Sequence, residues 1–361
     1  MAELVVSGTD TVKLIRPQAQ IARAQAAVTA FVGRALKGPV NQPVTIGCFD
    51  DYQRIFGGLW QPSALSYAIE QYFENGGGEC VVVRVCNGGR APTLRLPAGA
   101  CALMLIGVAP GTREFLRASV DYDGIPADQT DRFNLVLQRI RAPGSELIEE
   151  QEIFRRVSIA PAADRNVADA LAHSKVARVL GKLPPVRPGR SIATVPTAAV
   201  GYAHSLGDGD DGDALTDYDI IGDASSGTGL FALRGAEAFN FLCIPPLTRT
   251  RDVGLSTLLV ALRMCRERQA MLLLDPPSAW TDAAAAIDGV RGWPFFSEDA
   301  LMFYPRIQAF DRLRGRDEVF GSAPTAAGLI AQATRNSPVW SAAADAELAR
   351  GDSGIPLERG A

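Results

Sequence analysis

The chain has 361 residues, of which 47% are hydrophobic and 21% are charged. This mixture is typical of a globular protein, the length suggests two or three domains or one large domain with an insertion, and a wholly disordered or collagen-like chain is excluded. The formal net charge of −4 disfavours a general nucleic-acid binder. No apolar run approaches the roughly 18 residues of a membrane-spanning helix. Six scattered cysteines without a C-x-x-C pair predict a reduced, cytosolic protein.

The first part of the chain predicts an α/β unit. Residues 1–27 have no apolar face large enough to fold alone, and we interpret them as an N-terminal arm. Apolar runs then predict three strands, at 28–32, 43–49 and 80–85. Before the last of these, Leu65 to Phe73 show helical spacing, with Pro62 in the first turn of the predicted helix. A strand, a helix and an apolar strand in this order indicate a βαβ unit with parallel strands.

The middle of the chain predicts a β-rich domain. Its short apolar runs are separated by Pro- and Gly-containing turns, and they lie at 94–96, 103–108, 116–122 and 133–140. Regular short strands of this kind favour an antiparallel sandwich or barrel. A helix is predicted over 167–179, and a proline-rich linker follows from Leu183.

The α/β pattern returns after the linker. Strands are predicted at 238–244, 270–274 and 300–310, and helices at 252–268 and 283–290. The predicted fold class is therefore α/β, with one α/β domain formed from two sequence pieces and a β-rich, sandwich or barrel-like domain between them. The predicted division is an N-terminal arm (1–27), the first α/β piece (28–92), the β-rich domain (93–160), a helix and Pro-rich linker (161–195), the second α/β piece (196–345) and a tail (346–361).

Two serine segments raise the hypothesis of a hydrolase. Ser353 lies in a Gly-Asp-Ser-Gly segment similar to the nucleophile segment of chymotrypsin-like proteases, which need a histidine base and a buried carboxylate. The chain has only two histidines, His173 and His204, and Ser353 lies in a polar tail. A subtilisin-like order would instead combine His204 with Ser226. We interpret both segments as polar loops and expect no catalytic residue.

Acidic residues raise the hypothesis of a metal site. The run 207–213 alternates Asp and Gly, as calcium loops do. Asp219 would supply the last ligand of a loop that begins at Asp208, but Asp213 stands where an EF-hand needs glycine. We favour a solvated acidic turn and expect neither a metal nor a cofactor. Asp275 follows a strand at the end where α/β active sites form, but no partner base is evident, and we interpret it as a turn cap.

A series of short motifs runs through residues 28–345. Its members are Thr29-Ala30-Phe31-Val32-Gly33, Gly38-Pro39, Pro43-Val44, Phe56-Gly57-Gly58, Ser63, Leu65, Tyr67-Ala68, Phe73, Asn75-Gly76-Gly77, Val83-Arg84-Val85, Glu149-Glu150, Phe154, Ser158, Gly212, Thr216, Tyr218, Gly222, Gly229-Leu230, Ala232-Leu233, Asn240, Ile244-Pro245, Arg268, Leu274-Asp275-Pro276-Pro277 and Tyr304-Pro305. No single member is specific. In this order they resemble the contractile tail sheath proteins of myovirus-type phages, R-type pyocins and related contractile injection systems.

The resemblance implies a subtilisin-like α/β fold without catalytic machinery. It also implies a structural subunit that polymerises as stacked rings around an inner tube and contracts to drive the tube through a cell envelope. The implied partners are further copies of the chain, a tail tube protein and baseplate proteins, without nucleic acid or membrane insertion. The implied location is a virion tail or contractile particle that is assembled in the bacterial cytoplasm.

Two departures from the family pattern keep a second hypothesis open. The usual Pro-Gly-Val-Tyr opening is not found in residues 1–20, and the chain ends at Ala361, near the point where such proteins begin a C-terminal domain. The second hypothesis is a non-contracting cap or initiator of a sheath.

Overall fold

The computed structural model describes residues 27–193, 200–294 and 297–336. Its strands are β1 (Thr29–Gly33), β2 (Pro43–Ile46), β3 (Cys80–Arg84), β4 (Thr93–Ala98), β5 (Cys101–Gly107), β6 (Phe115–Asp121), β7 (Arg132–Ile140), β8 (Ile148–Ser158), β9 (Ala177–Val179), β10 (Ala203–His204), β11 (Phe241–Cys243), β12 (Met271–Leu274), β13 (Ala300–Met302), β14 (Ile307–Asp311) and β15 (Arg316–Phe320). Its α-helices are α1 (Phe49–Phe56), α2 (Ala64–Glu74), α3 (Val167–Leu171), α4 (Asp217–Ile221), α5 (Leu255–Arg268), α6 (Ala283–Arg291) and α7 (Ala323–Asn336), and a 3₁₀-helix covers Gly229–Gly235.

Six strands form one mostly parallel sheet in the order β13-β12-β11-β1-β3-β2. Strand β1 pairs in parallel with β3 on one side and with β11 on the other. The edge strand β2 runs antiparallel to β3. Strands from the beginning and from the last third of the described chain therefore share one sheet.

Helices cover both faces of this sheet. On one face, Val32, Val83 and Leu242 belong to a core cluster with Leu258 and Cys265 of α5. On the other face, the core is completed by α1, α2 and α7, through residues that include Tyr52, Ile69, Tyr72 and Ala327. Burial on both faces explains the continuous apolar runs of these strands, because no side of such a strand meets water. We call the sheet and its helices the three-layer unit.

A second core lies between two smaller antiparallel sheets, ordered β10-β6-β7-β8 and β4-β5-β9. Side chains from both sheets meet in it, including Leu94, Leu103, Leu105, Val120, Phe133 and Leu135. The sheets are joined along one edge, where Leu94 forms an antiparallel bridge with Ser205. We call this assembly the β sandwich.

Three predictions about the first α/β piece are wrong. The βαβ pattern predicts that the strand at 43–49 runs parallel to the strand at 80–85, but β2 is antiparallel to β3 and the parallel partner is β1. The predicted strand is also too long, because Phe49 begins helix α1. Pro62 lies outside helix α2, whose N-cap is Ser63, and the Ser63 hydroxyl accepts the N–H of Ser66.

Two later elements also differ from the prediction. The helix predicted over 167–179 ends at Leu171, because the Ser174 hydroxyl accepts the N–H groups of the next turn and the chain continues into β9. The strand predicted over 300–310 is divided into β13 and β14, since Pro305 has no N–H to donate to a ladder. Strand β14 then forms a hairpin with β15. Residues 1–26 and 337–361, which include most of the predicted arm and the whole predicted tail, lie outside the described residues.

Candidate functional site at the junction of the two units

The three-layer unit and the β sandwich meet through polar contacts. No core cluster of the described residues combines apolar side chains of both units. Instead, the loop after β1 and the end of β3 lie against the turn between β5 and β6 and against the start of β8. Charged side chains are buried there, or nearly so, namely Lys37, Arg84, Glu114 and Glu149.

Arg84 is the central residue of this junction and is 1% exposed. Its Nε donates to the carbonyl oxygen of Ala35 at 3.0 Å, and its Nη1 donates to that of Gly38 at 2.6 Å. Its Nη2 donates to the carbonyl oxygen of Pro110, in the β sandwich, at 2.9 Å. Burial lowers the pKa of Arg84, but a guanidinium stays protonated in proteins. The planar guanidinium group of Arg84 therefore donates hydrogen bonds to backbone carbonyl oxygens of both units.

Two acidic residues of the β sandwich bind the loop after β1. The Nζ of Lys37 lies 2.6 Å from both carboxylate oxygens of Glu149, and the two side chains are 8% and 10% exposed. The carboxylate of Glu114 accepts the N–H of Gly38 at 2.7 Å, and its other oxygen lies 3.6 Å from Nη1 of Arg139. Because the loss of one partner leaves a buried charge uncompensated, these pairs favour a single orientation of the two units.

The acidic run at 207–213 forms a third link between the units. The carboxylate of Asp208 accepts both the N–H and the hydroxyl of Thr93 at 2.7 Å. The carboxylate of Asp211 binds Thr112 in the same way, at 2.7 and 2.8 Å. Carbonyl oxygens of the run accept from the guanidinium of Arg34, in the three-layer unit. The run therefore binds Thr93 and Thr112 of the β sandwich and Arg34 of the three-layer unit.

This geometry gives Asp and Gly residues of the run defined contacts within the chain. Among the described residues, no three His, Cys, Asp or Glu side chains converge as metal ligands. Gly212 has a φ of 72°, and a Cβ there would lie 2.3 Å from the carbonyl oxygen of Asn87, so only glycine permits the close approach. The hydrogen bonds from Thr93 lower the pKa of Asp208. The run is less solvated than the predicted turn, because the carboxylates of Asp208 and Asp211 are bound to protein groups.

We expect Asp208→Ala to lower the free energy of unfolding by about 1–3 kcal/mol, since Thr93 loses a charged acceptor for both donors. Asp210→Ala is the matched control, because among the described residues its exposed carboxylate accepts only the nearby N–H of Gly212, and we expect a change within about 0.5 kcal/mol. Millimolar calcium should leave the midpoint of thermal unfolding unchanged. A calcium-dependent rise that Asp208→Ala abolishes would contradict this account of the acidic run.

Asp275 lies at the carboxyl end of β12, with its carboxyl group buried. Its Oδ1 accepts the N–H of Ala323, the first residue of α7, at 2.8 Å, and its Oδ2 has no hydrogen-bond partner among the described residues. Burial raises the pKa of Asp275 to about 6. The adjacent cavity measures about 30 Å³, which is room for water but not for a substrate of ordinary size. Asp275 therefore caps a distant helix, not a local turn.

The hairpin next to this cavity holds a carboxylate whose pKa moves in the opposite direction. Asp311 is fully buried and accepts from the Tyr67 hydroxyl at 3.0 Å and from Nη2 of Arg249 at 2.5 Å. It also accepts the N–H groups of Leu313 and Arg314. Burial by itself would raise the pKa of Asp311, but these donors lower it below its ordinary value. Asp311 is thus fully satisfied as an anion, whereas Asp275 is not.

We expect the contribution of Asp275 to the free energy of unfolding to fall as the pH rises from about 4 to about 6, because burial raises its pKa. A carboxyl group whose pKa moves from 3.8 to about 6 on folding binds more protons in the folded state, so ionisation costs roughly 3 kcal/mol over this interval. In Asp275→Asn this contribution should be missing. Denaturant unfolding of both proteins at pH 4 and pH 7 measures it, and parallel pH profiles would show that Asp275 does not titrate as described.

The serine and histidine candidates are not brought together. His204 is exposed on β10, where its backbone pairs with Arg117 of the β sandwich. Ser226 lies in an exposed loop of the three-layer unit, and its hydroxyl donates to the carboxylate of Asp223 at 2.6 Å. These and other donors from the same loop lower the pKa of Asp223. No hydrogen bond joins His204 to Ser226 in the described chain, and Ser353 lies outside it.

The sequence analysis names Arg84 and Glu149 as members of the motif series, but it did not predict the junction that they form. Arg84 carries a usable signal, because a charged residue inside the run Cys-Val-Val-Val-Arg-Val needs buried partners. Lys37 and Glu149 carry no such signal, since 112 positions separate them in the chain.

The chain can be compared with known proteins both by its sequence and by its described fold. No protein-family model matches the sequence, and no curated protein matches it. Similar solved structures include the sheath tail protein of Listeria innocua, with 12% identity over 87% of this chain and 57% of that chain and a TM-score of 0.49. The sheath tail protein of Desulfitobacterium hafniense has 12% identity over 90% and 62% of the two chains and a TM-score of 0.43. A chain of the contracted anti-feeding prophage baseplate has 16% identity over 96% and 60% and a TM-score of 0.43.

The chain thus spans about three fifths of the length of these structures. None of the helices in the described ranges combines the length and the apolar character needed to cross a membrane. The fold is mixed α/β with several sheets. Two of these similar structures are named as sheath tail proteins and one as a contracted baseplate.

Proposed function

We propose that the chain is a structural subunit of a contractile tail sheath. It polymerises as stacked rings around an inner tube, and contraction of the polymer drives the tube through a cell envelope. The observation that carries this proposal is the ordered series of motifs through residues 28–345, whose members fall in both units and at their junction. Its partners are further copies of itself, the tube protein and the baseplate, in a particle assembled in the bacterial cytoplasm.

The polar junction fits the mechanical requirement of such a subunit. A sheath contracts by changing how rigid subunits pack against each other. If a subunit bent between its three-layer unit and its β sandwich, part of the rotation of one unit would not reach the other. Arg84, the Lys37–Glu149 pair and the acidic run bind the two units at separate points, so that one unit transmits its rotation to the other.

The proposal includes the finer features that the sequence predicts. The α/β part has a subtilisin-like arrangement, built from the two predicted pieces around the β-rich domain. In this proposal Ser226 and Asp275 have structural roles, with Ser226 bound to Asp223 and Asp275 bound to α7. The proposed structural role requires no catalytic residue, metal or cofactor.

Co-assembly with the tube protein encoded by the same gene cluster tests the proposal. The purified chain is mixed with preformed tubes and centrifuged through a cushion, and the pellet is imaged by negative-stain electron microscopy. We expect the chain to pellet with the tubes and to decorate them periodically. Decoration of one end alone would favour the cap or initiator, and a chain that stays in the supernatant with and without tubes would overturn both.

A further inference from the structure

The hairpin of β14 and β15 (residues 307–320) is a separate element beside the three-layer unit. It forms a two-stranded sheet of its own, and none of its residues belongs to a core cluster of the described chain. Its outer face is open, since Phe310 and Val319 are 58% and 62% exposed. A two-stranded hairpin is at best marginally stable by itself in water. The hairpin therefore depends on its contacts with neighbouring elements.

One group of contacts joins the hairpin to helix α2 and does not change around neutral pH. The ring of Tyr67 stacks on that of Phe320 with the centroids 5.3 Å apart, and the guanidinium of Arg249 lies over both rings. The carboxylate of Asp311 accepts from Tyr67 and from Arg249. The donors to Asp311 keep its pKa low despite its burial, and burial raises the pKa of Tyr67 to about 12. Each of these groups therefore keeps its charge state around neutral pH.

A second group of contacts is held by a single arginine. Arg312, in the turn of the hairpin, is exposed and lies between two carboxylates of α2. Its Nη2 donates to Glu74 at 2.7 Å, and its Nη1 lies 3.3 Å from Oε1 of Glu70. The side chain of Glu70 is only 12% exposed, and its Oε1 accepts no hydrogen bond from the described residues. A buried carboxylate with so few partners is poorly stabilised as an anion.

Three charged groups face Glu70, and two of them are negative. Glu74 on the same helix and Asp311 on the hairpin both disfavour its ionisation, whereas Arg312 favours it. Burial, followed by the charge of Glu74, raises the pKa of Glu70 to about 7.

The other cations near this contact are bound elsewhere. Arg249 pairs with Asp311. Arg335 is the one charged residue in the described part of α7, and it donates to the carbonyl oxygen of Gly76, beyond the end of α2. Within the described residues, Arg312 is thus the one cation that forms an ion pair with Glu70.

From these contacts we propose that the hairpin is a pH-sensitive latch, which is held on α2 while Glu70 is protonated and opens more often once Glu70 is ionised. Ionisation places a third negative charge beside Glu74 and Asp311, with one exposed arginine to offset it. Opening lets water reach the carboxylate of Glu70 and restores its hydration. The latch belongs to a single folded chain, so it does not rest on the proposed sheath function.

The sign of the pH dependence follows from proton binding. The closed hairpin binds the Glu70 proton more tightly than the open one, in which we expect the ordinary pKa of 4.5. The contribution of Glu70 to closure is therefore complete below this ordinary pKa, and it is lost as the pH rises through about 7.

Hydrogen exchange of the full chain, measured by mass spectrometry between pH 5 and pH 9, tests the latch. Protection factors remove the intrinsic pH dependence of exchange and report how often β14 and β15 open. We expect the protection of both strands to fall about tenfold from pH 6 to pH 8. At every pH it should be lower than that of β3, which lies inside the large sheet. Protection that does not change with pH, or that equals the protection of β3, would overturn the proposal.

Two carboxyl variants assign the effect to Glu70. Glu70→Gln has no charge to gain, so the tenfold fall should be absent and the hairpin should stay protected at pH 8. Asp275→Asn is the matched control, because Asp275 is another carboxyl group of raised pKa but binds α7, and it should keep the fall. A fall of the same size in Glu70→Gln would overturn the proposal.

Two arginine variants test the same point without altering Glu70. Arg312→Met removes the cation that favours the ionised form, so it should raise the pKa of Glu70 and move the fall in protection to higher pH. Arg314→Met is the matched control in the same turn, since Arg314 pairs with Asp311 and Glu318, and it should leave the fall where it is. An unchanged pH profile in Arg312→Met would contradict the latch.

Discussion

Arg84→Met is expected to lower the free energy of unfolding by about 3–5 kcal/mol. The variant keeps the apolar stem but removes the donors from the carbonyl oxygens of Ala35, Gly38 and Pro110, which stay buried. Each acceptor then loses its partner without gaining water. Denaturant unfolding monitored by circular dichroism measures the loss, and limited proteolysis should show earlier cleavage between the two units.

Two further variants make the Arg84 result specific. Arg84→Lys keeps the charge but cannot reproduce the planar fork, so we expect it to be destabilised as well, by less than the methionine variant. Arg263→Met is the matched surface control, because this side chain is 82% exposed and its one ion pair within the described residues is with Glu267, one helical turn away. Its effect should stay within about 0.5 kcal/mol. A similar small loss for Arg84→Met would show that Arg84 does not hold the junction together.

Lys37→Met and Glu149→Leu are each expected to destabilise the protein by about 3–5 kcal/mol, and the double variant should recover most of that loss. Each single change removes the partner that lies 2.6 Å from a buried charge, since the two side chains are 8% and 10% exposed, and Lys37→Met leaves Glu149 with Arg141 at 3.9 Å. The double variant removes both charges and leaves apolar groups of similar size. Equilibrium unfolding of the four proteins gives the coupling free energy.

The surface pair Arg291 and Asp288 is the matched control for this cycle, because its side chains are 76% and 79% exposed. Its coupling free energy should be below about 0.5 kcal/mol. If the losses of Lys37→Met and Glu149→Leu simply add in the double variant, the pair does not act as a unit and the account of the junction is wrong.

Local patterns predicted the elements whose burial follows a simple period. The apolar positions from Leu65 to Phe73 predicted helix α2, which runs from Ala64 to Glu74. The run at 80–85 predicted β3, a strand buried on both faces. In these segments the apolar positions of the sequence are also the positions buried in the fold, so the prediction needs no knowledge of distant residues.

Strand β8 and helix α7 were not predicted, because their residue patterns make sense only with the elements that pack beside them. Charged residues occupy five of the 11 positions of β8, and an edge strand tolerates them because one side is open to water. Helix α7 is rich in alanine and contains Gly328, at which a Cβ would lie 2.5 Å from the carbonyl oxygen of Tyr72. Its small residues permit close packing on α2, a requirement that only the folded chain reveals.

The candidate site could be predicted only in part for the same reason. The sequence drew attention to the acidic run at 207–213 and to Asp275, but not to what their carboxylates bind. Thr93 is 115 positions from Asp208, and Ala323 is 48 positions from Asp275. Local spacing raised the hypotheses of a metal site at 207–213 and of an active-site position at Asp275. In the fold, the carboxylates at both positions bind segments that are distant in the chain.

Cryo-electron microscopy of native contractile particles tests the central claim most directly. The chain is tagged in the bacterium or phage that encodes it, and the tag is located on purified particles, with untagged particles as the control. The account predicts a tag that repeats at every ring along the outside of the tube, with the two units of each subunit in one fixed relative orientation before and after contraction. Tagged chains that are absent from the particles, or units that reorient about the Arg84 junction during contraction, would contradict it.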